Sequence, residues 1–249
     1  MVDVATSVLS EGVRLATEVV GEGAPVTVLA HGLTGSRADL EIFAPFLPGA
    51  SVLFDFRGHG ESERPGPGSY SMDHFATDVR NVAEAFGATR LAGVSLGGGA
   101  TLRLLKSEPD RFERLVFIFP ARLERSMTAH AHLMRLADLL ERYPLEEVAE
   151  RMIAQEGAMG AFDAFPASRE LRRQAILRMH GDGMPHAIRE ALADPPVASD
   201  ATSLRAVSAP ALVIGQRGDP IHHADVAEKL ADALPNSELV LFDHPSSLL

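Results

Sequence analysis

Cysteine is absent from the 249 residues. That excludes disulfides, a cysteine nucleophile and thiolate-bound metal. It leaves the redox compartment open, because such a chain folds in any of them. Basic runs are missing as well, and the formal net charge is -11. The balance argues against nucleic acid or an anionic membrane as a partner. No apolar stretch approaches the ~20 residues of a membrane span. The opening "MVDVATSVLSEG" lacks the basic start and apolar run of a signal peptide. A soluble, cytoplasmic protein acting on a small molecule is the expectation; nothing here bears on oligomeric state. What is present is an ordinary globular balance of 46% hydrophobic and 23% charged residues. The length suits one sizeable core, with or without a small additional unit.

Short apolar runs recur along the chain. Val13 to Gly23, Pro25 to Gly32, Val52 to Asp55, "RLAGV" before Ser95, Arg114 to Phe119, Pro210 to Gln216 and Ser237 to Asp243 each read as a strand. Runs this continuous suit strands covered on both faces, as in a parallel sheet. Helical patterns fall between them, over Arg37 to Leu47, Asp73 to Phe86, Leu96 to Ser107 and Ala224 to Leu234. Alternation of this kind predicts an α/β fold with a mostly parallel central sheet flanked by helices. The pattern breaks over 121–205, which is helical throughout and punctuated by Pro144, Pro166, Pro185 and Pro195-Pro196. Six of the eight methionines lie there, among them Met134 and Met159. Such flexible apolar side chains suit a cap over a pocket. The expected division is a core of 1–120 and 206–249 with a helical cap of 121–205 between the sixth and seventh strands. Met134 and Met159 are candidate substrate contacts, although for any single methionine packing of the cap against the core is the favoured reading.

"RLAGVSLGGGATLRLL" places a serine between glycines where a strand gives way to a helix. A nucleophilic serine needs exposure, a base, and donors for the developing oxyanion. Small residues at Gly93 and Gly97 make a sharp turn sterically possible. The N–H of Leu96, at the start of the helix, then faces the same space as Ser95.

With three further motifs the sequence resembles the α/β-hydrolase superfamily over nearly its whole length. "GVSLGG" is similar to the nucleophile elbow, "HGLTGS" to the oxyanion loop, "DFRGHGES" to the D-x-R-G-x-G-x-S loop, and "IGQRGDPIH" to the stretch that carries the acid. The resemblance implies Ser95 as nucleophile, Asp219 as acid, and the N–H groups of Leu33 and Leu96 as the oxyanion hole. It favours a buried turn role for His31, and loop-stitching roles for Arg57, His59 and Ser62. The closest likeness is to capped esterase-like and enol-lactonase-like members. No cofactor or metal is expected: His130 and His132 sit two apart on a helix and face different ways.

The family's base follows the eighth strand in a short glycine-rich loop. Here "ELVLF" leads into "DHPSSLL". His244 is the only histidine in that region and the expected base, although its loop is short and Ser247 stands nearer the family's usual place. Alternatives are a base beyond Leu249, loss of the base, or His222 or His223 beside Asp219. The family's last helix has no counterpart in the sequence. The expected activity is a cofactor-free serine hydrolase acting on a small, fairly apolar ester or lactone, or on a carbon–carbon bond next to a ketone. A non-hydrolytic lyase, cyclase or isomerase of secondary metabolism, or a ligand-binding module with an incomplete triad, stand as alternatives.

Overall fold

The structure, a computed structural model, describes residues 6–120, 130–158, 166–179, 182–195, 201–219 and 221–243. Eight strands form one sheet: β1 Thr6–Ser10, β2 Val13–Val20, β3 Val26–Ala30, β4 Ala50–Phe54, β5 Arg90–Val94, β6 Arg114–Ile118, β7 Ala211–Gln216 and β8 Ser237–Phe242. Their order is β1-β2-β4-β3-β5-β6-β7-β8. The β1–β2 and β2–β4 pairings are antiparallel; the other five are parallel. The sequence pattern does not disclose β1, a five-residue edge strand joined to β2 through Glu11 and Gly12.

Successive strand residues point to opposite faces. Val28, Ala30, Val52 and Phe54 accordingly join one apolar cluster, while Leu29, Leu53 and Ala92 join another. The first cluster is covered by α1 Met72–Ala85, α2 Leu96–Leu105 and α7 Ala224–Ala233. Helix α1 starts at Ser71, whose hydroxyl accepts the His74 N–H, and buries Phe75, Val79 and Val82 along one side. These three helices lie within two residues of the sequence expectation at either end. The expected helix over Arg37 to Leu47 does not form. Two short 3-10 turns, Arg37–Leu40 and Ala44–Phe46, stand in its place. Pro45 explains this: it has no N–H to give, and its ring clashes with the preceding turn of an α-helix.

Between β6 and β7 lie α3 His130–Leu140, α4 Leu145–Ala158, α5 Ser168–Leu177, α6 Met184–Ala193 and a 3-10 turn, Ala201–Ala206. Leu136, Leu140, Val148, Met152, Ile176 and Ile188 bury one another in a cluster of their own. Helix α6 also ties down to the core. Its Glu190 carboxylate accepts the N–H groups of Gly68 (2.7 Å) and Tyr70 (2.9 Å), and Asp194 accepts that of Met72.

Strand register brings the chemistry together. Ala30 lies opposite Gly93, Val94 opposite Ile118, and Ile118 opposite Ile214. The loops after β3, β5, β6 and β7 therefore open on one carboxyl edge of the sheet, where open α/β sheets hold their ligands.

Candidate active site

Ser95 occupies the turn between β5 and α2 with φ 48 and ψ -105. A non-glycine residue there carries strain on the order of 1–3 kcal/mol. The surroundings enforce it: the Ser95 N–H donates to the Ile118 carbonyl (3.0 Å) and the Ser95 carbonyl accepts the Gly99 N–H (3.0 Å). The flanking glycines are sterically required. A Cβ on Gly97 would lie 2.2 Å from the Ala30 carbonyl oxygen, and one on Gly93 would lie 2.6 Å from the Gly98 nitrogen. The hydroxyl is left half-buried at the sheet edge.

Its partner is His222. The Ser95 Oγ lies 3.0 Å from His222 Nε2, and His222 Nδ1 lies 3.1 Å from Asp219 Oδ2. The network fixes the tautomer: Nδ1–H donates to the carboxylate, and Nε2 is free to accept from the serine. Asp219 Oδ1 accepts the backbone N–H groups of Ile221 (2.7 Å) and His222 (2.9 Å), which folds the chain back and sets the ring over the carboxylate. Burial opposes the charge on Asp219. Hydrogen bonds from the His222 side chain, the interaction with its charge, and the two backbone N–H groups outweigh burial and hold the carboxyl below its usual range. His244, the base expected from the sequence, lies outside the described residues, as does Met159. The structure brings Asp219 and Ser95 to one ring, that of His222, an outside candidate in the sequence.

Phe119 was not singled out by sequence. It closes β6 with φ 51, its N–H held by the Ile214 carbonyl at 2.8 Å. The strained backbone turns its ring onto His222, with centroids 5.8 Å apart and planes 29° apart. A ring pair of this kind contributes about 0.5–1.5 kcal/mol. Phe119→Ala is therefore expected to lower kcat about two- to tenfold, with little change in KM. Steady-state kinetics that leave kcat unchanged would assign the strain to folding alone.

The turn after β3 lies against the serine: a Cβ on Gly32 would sit 3.7 Å from the Ser95 Cβ. Among the described residues, no hydrogen-bond acceptor meets the backbone N–H of Leu33 or of Leu96. The Leu33 side chain packs against both the core cluster and the helical cluster, so the inserted helices reach over this turn. Met134 packs against the helical cluster.

His31 is buried. Its Nδ1–H donates to the Gly32 carbonyl (2.7 Å), and its Nε2 accepts the Phe56 N–H (3.1 Å). Burial and the neighbouring His59 outweigh Asp55 and the Gly32 carbonyl, and lower the His31 pKa to about 3. Burial likewise holds His59 below its ordinary range, against its two carbonyl partners and the charges of Asp55 and Asp78. For a histidine lowered from 6.5 to about 3, the unfolded chain binds the extra proton throughout that window. Stability therefore falls as pH drops. Urea titrations between about pH 6 and 5 should show unfolding free energy falling with a slope that approaches about 1.4 kcal/mol per pH unit from His31. A flat profile would show that the His31 ring protonates in the native state.

Arg57 crosses further than its own loop. It reaches Asp78 of α1 at 2.7 Å and Glu11 of the β1–β2 turn at 3.1 Å. Asp55 accepts the N–H groups of Arg37 (2.7 Å) and Glu61 (2.9 Å). Among the described residues, no group of three or more histidines, aspartates or glutamates is arranged to hold a metal ion. No helix among them is long and apolar enough to cross a membrane.

Comparison with known proteins agrees with this architecture. Residues 25–246 match the family model described as alpha/beta hydrolase fold. The 2-hydroxymuconate semialdehyde hydrolase of Pseudomonas putida is 29% identical over 265 aligned positions, covering 96% of this chain and 86% of that protein. A shorter match, 38% identical, covers 39% of this chain and 38% of a curated protein from Caulobacter segnis. The structure of a thermophilic esterase from Thermogutta terrifontis superposes with a TM-score of 0.76 at 26% identity, over 96% of this chain and 89% of that one.

Proposed function

The chain belongs to the α/β-hydrolase family, and from that premise we propose that it is a serine hydrolase whose base is His222. The observation that carries this reading is the unbroken hydrogen-bond chain from Ser95 Oγ through the His222 ring to Asp219. His222 Nε2 takes the hydroxyl proton as Oγ attacks a carbonyl carbon. The charge that develops on the carbonyl oxygen is met by the N–H groups of Leu33 and Leu96. Asp219 stabilises the imidazolium and keeps its Nδ1–H in place. The imidazolium then protonates the leaving group, an alcohol or a ketone-stabilised carbon. Water repeats the sequence on the acyl-enzyme and frees the acid and the serine.

The substrate class that fits is a small, fairly apolar ester or lactone, or a carbon–carbon bond beside a ketone. The apolar faces of α3 to α6, which form a cap, support this choice, since Leu33 belongs to the same cluster as their side chains. A panel of p-nitrophenyl esters and lactones of graded chain length tests the reading. At least one should turn over, and Ser95→Ala should abolish that turnover. Turnover that survives in Ser95→Ala would exclude the serine mechanism. Met134→Ala should shift the chain-length preference by at least several-fold and leave the best substrate's kcat within about threefold. An unchanged preference would remove Met134 from the substrate site.

A further inference from the structure

His59 stands at the variable position of "DFRGHGES", between glycines, with no part in the proton chain from Ser95 to Asp219. Its ring is fully buried. His31 at 5.0 Å, Phe75 at 6.2 Å and Phe56 at 6.5 Å, centroid to centroid, surround it and fix its orientation. Both ring nitrogens face carbonyl oxygens: Nδ1 lies 2.9 Å from that of Arg57 and Nε2 lies 2.5 Å from that of Leu33. A neutral imidazole carries one N–H, so it serves one of these carbonyls as donor. With the proton on Nε2, the ring donates to the Leu33 carbonyl.

That contact matters because of where Leu33 sits. A peptide unit is planar and trans, so the N–H of Leu33 points away from the carbonyl of Gly32. The Gly32 carbonyl is held by the His31 ring (2.7 Å) and by the Gly35 N–H (3.0 Å). The next carbonyl along, that of Leu33, is held by His59. The two peptide planes flanking the Leu33 Cα are thus tied to two buried rings, and the Leu33 N–H, in the turn that lies against Ser95, loses its freedom to rotate. We infer that His59 is a positioning residue for the oxyanion hole: it fixes the Leu33 turn from the far side while touching neither substrate nor serine.

The inference rests on the serine-hydrolase reading, and the test separates the two. The probe is p-nitrophenyl butyrate, and the proteins are wild type, Ser95→Ala, His59→Phe and His59→Gln. Phenylalanine fills the aromatic surroundings without a donor; the glutamine amide restores one. Loss of a whole oxyanion donor costs about 10²–10³ in kcat. Loosening one should lower kcat in His59→Phe by about 10- to 100-fold, with KM within about twofold of wild type. His59→Gln should recover most of that loss. A trifluoromethyl ketone, which forms a tetrahedral oxyanion on the serine, should bind His59→Phe more weakly by the same factor as the loss in kcat/KM. Wild-type kcat in His59→Phe, a His59→Gln variant as impaired as His59→Phe, or unchanged ketone affinity would each overturn the inference while leaving the serine mechanism in place. Turnover that persists in Ser95→Ala would overturn both.

Discussion

Ser95→Ala is expected to lower turnover by on the order of 10⁴ or more while the protein stays folded. The size follows from what is removed: the nucleophile itself, leaving only the oxyanion donors and substrate binding. The fold is expected to survive because the hydroxyl's partner is the His222 ring at the mouth of the site, not a group in the core. The backbone contacts that hold the strained turn, to Ile118 and Gly99, come from main-chain atoms and persist in the variant. Thermal melts by circular dichroism alongside ester turnover check both halves. A variant that keeps most of its activity would remove Ser95 from the mechanism.

His222→Ala is expected to cost about 10³–10⁴ in kcat, and His244→Ala no more than a few-fold. The hydrogen-bond geometry argues for the difference. A base must reach the nucleophile within about 2.6–3.2 Å and be oriented by a third group. His222 meets both conditions, at 3.0 Å from Ser95 and 3.1 Å from Asp219. Its ring is further steadied by the Phe119 stack. The reverse outcome, with His244→Ala inactive and His222→Ala active, would assign the base to His244 and reduce His222 to a neighbour of the acid.

The elbow was legible because its constraint is local. Glycine at 93 and 97 is demanded by close approach of main chain to main chain, and that demand leaves a mark at fixed spacing around Ser95. Asp219 was legible for a similar reason, being tied to the end of one strand. The histidine was harder. The sequence points to His244 after β8, whereas the histidine that bonds Ser95 is His222, three residues from Asp219 and turned back by the carboxylate's own hydrogen bonds to Ile221 and His222. An Asp followed three residues later by a His carries that possibility, yet nothing in the sequence says that a serine 127 positions away completes it. Phe119 left no signal at all, since a positive φ at a bulky residue is imposed by tertiary contacts. The role of His59 was hidden in the same way, because its partner, Leu33, lies 26 residues earlier in the chain. The sheet itself was read well from apolar runs. β1 escaped because five edge residues give too short a pattern, and the expected helix after the turn that follows β3 failed at Pro45.

The central claim is that Ser95 is activated by a histidine and an aspartate at the carboxyl edge of the sheet. Exposure to a fluorophosphonate, followed by intact-mass and peptide mass spectrometry, tests it most directly. The account predicts a single adduct, on the peptide that contains Ser95, absent in Ser95→Ala and formed far more slowly in His222→Ala. An unlabelled wild-type protein, or an adduct on another residue with Ser95 unmodified, would contradict it.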